Sequence, residues 1–235
     1  NQNVLIGKDA GTAITTGDDN VAVGYQALDA NTTGGNSVAV GSNALGAQTT
    51  GDRNIAIGST AGAAITTGQG SIAIGHQALA SATTGDDNIA IGADSPTVNA
   101  ALEANTTGVQ NVAIGGGALA ANTTADKNTA LGFQSLGKNT TANNNTAVGF
   151  QALYDNTTGA QNVAVGMFAL PNNTSAAYNT AVGYGAMEAN TTGASNTAIG
   201  GSALYSATTA SNNTAVGVEA MENTTVGYEN VAVGY

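Results

Sequence analysis

The pentad Asn-Val/Thr/Ile-Ala-Val/Ile-Gly recurs along the whole chain at an almost constant spacing. Its glycines are Gly7, Gly24, Gly41, Gly58, Gly75 and Gly92, each 17 residues after the last. After one step of 23 residues come Gly115, Gly132, Gly149, Gly166, Gly183, Gly200, Gly217 and Gly234, again 17 apart. A short, strict period is the signature of a solenoid, in which each repeat is one coil that cannot bury its apolar face alone and stacks on its neighbours. Fourteen copies with a single insertion of six residues (23 minus 17) predict one array over residues 1–235, with coils at 3–92 and 111–235. The insertion falls near 95–100, around Ser95-Pro96-Thr97-Val98-Asn99, and reads as a loop that leaves the coil circumference unchanged.

Numbering the repeat from its Asn gives Asn-Val-Ala-Val-Gly-x-x-Ala-Leu-x-x-Asn-Thr-Thr-Gly-x-x. β-branched residues at positions 2 and 4 around a small residue at 3 predict a short strand. Its side chains alternate, placing 2 and 4 on one face and 3 on the other. Gly at position 5 of every copy turns the chain, by a positive φ or by admitting a neighbouring backbone. Ala-Leu at 8 and 9, as in Ala27-Leu28 and Ala152-Leu153, closes the core from a second side through one helical turn or an irregular segment. Asn-Thr-Thr-Gly at 12–15, as in Asn31-Thr32-Thr33-Gly34, predicts a turn or a second short strand. Asn at position 1 stands in twelve copies, Ser37 and Ser71 replacing it in the others, and is expected to stack on itself from coil to coil. Coils about 4.8 Å apart predict a rod of roughly 65 Å.

If the Val and Ile of positions 2 and 4 face the core, position 3 forms the opposite face, and it is Ala in every copy except the first. The strip Ala22, Ala39, Ala56, Ala73, Ala90, Ala113, Ala130, Ala147, Ala164, Ala181, Ala198 and Ala215 is then expected to serve as a subunit interface or to meet a second internal layer. The interface is the preferred expectation, because a 17-residue coil leaves little room for another layer and an exposed apolar strip invites association.

Three pentads, Asn20-Val21-Ala22-Val23-Gly24, Ser71-Ile72-Ala73-Ile74-Gly75 and Asn88-Ile89-Ala90-Ile91-Gly92, resemble the Ser/Asn-Val-Ala-Ile-Gly motif of YadA-like trimeric autotransporter adhesin heads. The longer unit Asn145–Gly159 is similar to repeats of phage tail-fibre proteins. The resemblance covers essentially the whole chain. It implies a left-handed parallel β-roll with three chains around one axis, an extracellular place on a bacterial cell surface or virion, and attachment to a host-surface protein or glycan. The fold class expected is therefore all-β, a parallel β-solenoid (β-roll) of about 14 coils of 17 residues, assembled as a homotrimer. The chain opens at Asn1 rather than Met and ends partway through a repeat at Tyr235, so both ends read as cut, with any leader, caps and anchor expected outside.

Composition limits the chemistry. Charged residues make up 8% of the chain, while 42% hydrophobic content is too high for disorder. Four basic against fifteen acidic residues, a net charge of −11, argue against nucleic acid and against a basic membrane patch. The absence of cysteine removes disulfides and thiolate metal sites. No stretch approaches the roughly 18 apolar residues of a membrane helix.

The only histidine, His76, sits at the variable position 6, occupied elsewhere by Lys8, Tyr25, Ser42 or Phe133, and reads as a surface residue without a triad partner. The acidic pairs Asp18-Asp19 and Asp86-Asp87 read as solvated turns, short of the six to eight oxygens that calcium prefers. No catalytic, metal or cofactor residue is assigned and no enzyme activity is expected; carboxylate pairs at a cleft, which a polysaccharide-cleaving solenoid needs, are missing. Asn-x-Thr sequons at Asn31, Asn105, Asn122, Asn139 and Asn156 follow from the repeat's turn. A binding function would sit at variable positions, where Tyr25, Phe133, Phe150, Tyr154, Phe168, Tyr184 and Tyr205 are candidate receptor contacts or else cover the coil edge or a subunit seam, with the insertion as a second candidate. The leading expectation is a structural and adhesive rod; the alternative is an ice-binding solenoid using the Thr-Thr ranks of positions 13 and 14, such as Thr32-Thr33 and Thr49-Thr50. Adjacent strand residues face opposite ways, which counts against the alternative if that segment is a strand.

Overall fold

The computed structural model describes residues 2–235 and forms an all-β parallel solenoid of fourteen turns. It falls into two compact units, Asn1–Thr124 and Ala125–Tyr235. The first carries β1 (Val4–Ile6), β2 (Val21–Val23), β3 (Val38–Val40), β4 (Ile55–Ile57), β5 (Ile72–Ile74), β6 (Ile89–Ile91) and β7 (Val112–Ile114). The second carries β8 (Thr129–Leu131), β9 (Thr146–Val148), β10 (Val163–Val165), β11 (Thr180–Val182), β12 (Thr197–Ile199), β13 (Thr214–Val216) and β14 (Val231–Val233). Each strand is the three residues between the repeat's Asn and Gly, and the other segments of the coil are turns and bends. No helical turn forms at positions 8 and 9, and no second strand at 12–15, among the described residues. Nor is any helix long and apolar enough to cross a membrane.

Pairing within each unit is parallel and in register, so that Val21 meets Val38, Ala22 meets Ala39 and Val23 meets Val40. The insertion does not disturb it: Ile89 pairs with Val112 and Ala90 with Ala113 across the 23-residue step. The extra residues fold outward, with Ser95 and Val98 bridged antiparallel, and Glu103 Oε2 accepts the Ala100 N–H at 2.8 Å where the chain rejoins the coil.

The strand faces the opposite way from the one expected. Ala22, Ala39, Ala56, Ala73, Ala90, Ala113, Ala130, Ala147, Ala164, Ala181, Ala198 and Ala215 point into their own coil and are buried to 1% exposure or less by the chain itself. They are not an interface strip, and the Val, Ile and Thr of positions 2 and 4 lie on the outer face, half-buried or exposed. The cause is volume. Leu28, Leu45, Leu79, Leu102 and Leu119 in the first unit, and Leu136, Leu153, Leu170, Met187 and Leu204 in the second, enter the lumen from position 9 and are fully buried. A coil this narrow, already filled by one leucine, accepts only a methyl from the strand opposite, since interiors pack close to crystal density.

Two coils obey the same volume rule by a different route. Position 9 is Gly11 in the first coil and Gly62 in the fourth, and in both the position-12 Asn is replaced by an isoleucine, Ile14 and Ile65. Ile65 is buried to 1% exposure, and a Cβ added to Gly62 would lie 3.0 Å from both Ile65 Cδ1 and Leu45 Cδ2. The aliphatic group has moved three residues along the coil while the filled volume is kept.

The turns are tied to the stack. Gly at position 5 has φ between 125° and 155°, and a Cβ on Gly24 would stand 2.5 Å from the Gly41 carbonyl oxygen. Both reasons for glycine therefore act at once. Non-glycine residues also adopt positive φ at positions 7, 9 and 17, including the core leucines Leu28 (55°) and Leu153 (53°). A left-handed L-residue costs roughly 1–2 kcal/mol. Hydrogen bonds to neighbouring coils hold them there: Gln26 N–H donates to Lys8 O at 3.0 Å, Leu28 N–H to Ala44 O at 3.0 Å and Asn36 N–H to Asp18 O at 3.0 Å.

Two columns of buried asparagine complete the interior. At position 1, Asn20 Nδ2 donates to Gly34 O at 2.9 Å and Asn20 Oδ1 accepts the Ser37 N–H at 3.0 Å. The amide thus closes its own coil and ties it to the next. In the second unit these side chains also bond one another, as Asn162 Nδ2 does to Asn145 Oδ1 at 3.2 Å, the stacking expected of this position. At position 12, Asn31 brackets its turn, donating to Gly34 O at 2.9 Å and accepting the Gly34 N–H at 3.1 Å. Asn156 and Asn173 continue a ladder there, at 3.0 and 2.9 Å. These bonds satisfy amide groups that would otherwise cost about 1–3 kcal/mol each when buried unpaired.

Candidate interaction surfaces

Three outward surfaces follow from this coil. The first is the strand face. In β2 to β7 it presents only Val and Ile at positions 2 and 4, half-buried except for Ile57, which is exposed. In the second unit position 2 is Thr129, Thr146, Thr180, Thr197 and Thr214 in five coils and Val163 and Val231 in the other two, while position 4 stays aliphatic. No charged residue occupies either position in any coil. Sequence reasoning missed this surface, although one signal was present: a threonine at position 2 in five copies fits an outer face better than a core.

The second surface is the aromatic rank at and beside position 6. The structure brings together three of the expected contact residues. Phe133 stacks on Phe150 with centroids 5.6 Å apart and planes at 10°, and Phe150 meets Phe168 edge to face at 5.4 Å. Met167, at position 6 between Phe150 and Tyr184, extends the rank and is exposed. Tyr184 is 56% exposed. Tyr154 lies apart from the phenylalanines, under the Lys138 ammonium at 4.9 Å from its ring centre, with Lys138 also paired to Asp155 at 2.6 Å. The hydrogen bond to Asp155 raises the Lys138 pKa. The Tyr205 hydroxyl donates to Glu188 Oε1 at 3.3 Å, and the negative charge of Glu188 raises the phenol pKa. Tyr25 belongs to the first unit, exposed and 5.8 Å from Lys8 Nζ.

The third surface carries the threonine ranks. Position 13 hydroxyls are engaged, Thr32 Oγ1 donating to Thr49 O at 3.0 Å and Thr49 Oγ1 to Thr66 O at 3.1 Å. Position 14 is exposed in every coil. The segment is a bend rather than a strand, so adjacent threonines need not face opposite ways.

The remaining candidates have structural surroundings. His76 is exposed, its Nδ1 2.5 Å from Asp94 Oδ1 at the start of the insertion. Asp86 Oδ1 accepts the Gln69 N–H at 2.8 Å, as Asp52 Oδ1 accepts that of Gly35, so these turn carboxylates bond between coils. Among the described residues no three acidic, His or Cys side chains cluster as metal ligands. The five sequon asparagines Asn31, Asn105, Asn122, Asn139 and Asn156 are fully buried in the position-12 column, which closes these five to glycosylation of the folded chain, whereas Asn144, Asn172 and Asn212, which also head Asn-x-Thr triplets, are exposed. Neither a protein-family model nor a curated protein matches this chain.

Proposed function

We propose that the chain is a structural and adhesive rod module that associates with copies of itself, three around one axis, and mediates attachment. The strand face carries this reading. Paired ranks of Val and Ile, uncharged over every coil of the first unit, form an apolar sheet surface that a solitary chain would leave against water. Completing their burial is worth about 0.5–1 kcal/mol per side chain at the usual area coefficient, and the contribution repeats with each coil. The likeness of the pentads to trimeric adhesin heads supports three chains. Sister chains meet through positions 2 and 4, with position 3 inside each coil.

Attachment falls to residues that vary from coil to coil, foremost Phe133, Phe150, Met167, Phe168 and Tyr184. Phe133 and Phe150 each cover one face of the other, and the apolar cluster they build with Phe168 suits a host-surface protein. Size-exclusion chromatography with light scattering tests the assembly: a trimer at micromolar concentration is expected, and a stable monomer would overturn it. Replacing Ile55, Ile57, Ile72 and Ile74 with lysine should release monomers that keep their far-ultraviolet circular dichroism.

A further inference from the structure

Position 14 of the repeat holds threonine in all seven coils of the first unit, from Thr16 through Thr33, Thr50, Thr67, Thr84 and Thr107 to Thr124, and all are exposed. Other exposed positions there vary freely. Position 6 runs through Lys8, Tyr25, Ser42 and His76, and position 17 through Asp19, Asn36, Arg53 and Asp87. The coil itself explains the threonine at position 13, whose hydroxyl staples it to the next carbonyl, from Thr15 to Thr32 at 2.9 Å through Thr106 to Thr123 at 3.0 Å. It does not explain position 14, where the hydroxyls of Thr33, Thr50 and Thr67 bond to nothing among the described residues, and all three residues are exposed. Ser175 and Val226 hold the same place in the second unit, so the coil has no need of threonine there.

We propose that the paired threonine ranks of the first unit bind ice. The position-13 hydroxyl bonds fix one rank's rotamers, while the position-14 rank offers exposed hydroxyls. The backbone beneath is held too, Thr33 N–H donating to Thr49 O at 3.2 Å and Thr50 N–H to Thr66 O at 3.3 Å. The ranks advance by about 4.8 Å per coil, the spacing of paired strands, which is close to the oxygen repeat of the basal plane of hexagonal ice. A rigid row of exposed hydroxyl groups at that spacing holds its first water layer in a repeating order, each water hydrogen-bonded to the chain. Nanolitre osmometry with ice-crystal imaging of the full chain is the test. Wild-type protein should facet growing ice and open a gap between melting and freezing points. T50K/T67K, at two exposed positions, should close that gap while keeping its circular dichroism, melting temperature and state of association. S42K, at the variable position 6, should leave it intact. Rounded crystals with wild-type protein, or an unchanged gap in T50K/T67K, would overturn the proposal, and light scattering on the same samples reads the assembly separately.

Discussion

The exchange of Leu-and-Asn for Gly-and-Ile in the fourth coil offers a quantitative test of the volume rule. Converting it to the common pattern requires Gly62→Leu and Ile65→Asn. Alone, Ile65→Asn empties a fully buried site; the loss of an aliphatic group costs about 2–5 kcal/mol, partly offset if the new amide bonds the Gly68 carbonyl as Asn31 bonds Gly34, leaving about 2–4 kcal/mol. Alone, Gly62→Leu forces a side chain into the space held by Ile65 Cδ1 and Leu45 Cδ2, an overpacking of about 1–3 kcal/mol. Backbone strain is not the obstacle, since Gly62 has φ 56° and Leu45, at the same position one coil earlier, has φ 49°. Together the two changes restore one leucine and one amide per coil, and the double variant should lie within about 1.5 kcal/mol of wild type. The coupling is then at least about 1.5 kcal/mol, within the range for residues in contact. Urea unfolding followed by circular dichroism measures all four corners of the cycle, with hydrogen exchange at Leu45 and Leu79 as a local readout. Additive costs, with the double variant the least stable of the four, would refute shared volume as the reason for the exchange.

Gly58→Ala should lower stability by about 2–5 kcal/mol, because φ is 134° and the added Cβ would lie 2.6 Å from Gly75 O; an unchanged melting temperature would contradict the close approach. Asn162→Ala removes the acceptor of the Asn179 N–H (3.0 Å) and the donor to Ala176 O (2.9 Å), so about 1–3 kcal/mol per orphaned group should appear in urea unfolding, with faster exchange of the Asn179 amide. Tyr205 should form its phenolate above the ordinary tyrosine range, since the charge of Glu188 beside it opposes a second negative charge. Ultraviolet titration of E188Q should show one tyrosine ionising at lower pH than in wild type, and identical curves would remove Glu188 as the cause.

Much of this architecture could be read from residues alone. The period of 17 demanded stacked coils, the glycine after each strand a turn under a neighbouring backbone, and the asparagine column an internal amide ladder. The buried Leu at position 9 was equally legible. Which aromatic side chains meet was not: Phe133 and Phe150 share position 6, but Phe168 joins them from position 7, and only the path of the turn brings its ring to the edge of Phe150. The buried state of the sequon asparagines was hidden for a similar reason, since a turn residue usually faces water.

The sequence by itself determined that the third residue of every pentad lies opposite its two neighbours, because side chains alternate along any strand. It did not determine which set is enclosed. Hydrophobicity ranks valine and isoleucine above alanine for the interior, yet the tertiary structure encloses the alanines. Enclosure depends on the width of the lumen, and that width is decided by a leucine arriving from the far side of the coil. Only one bulky chain per layer can be close-packed there, so the smaller residue turns inward and the larger ones become the outer surface.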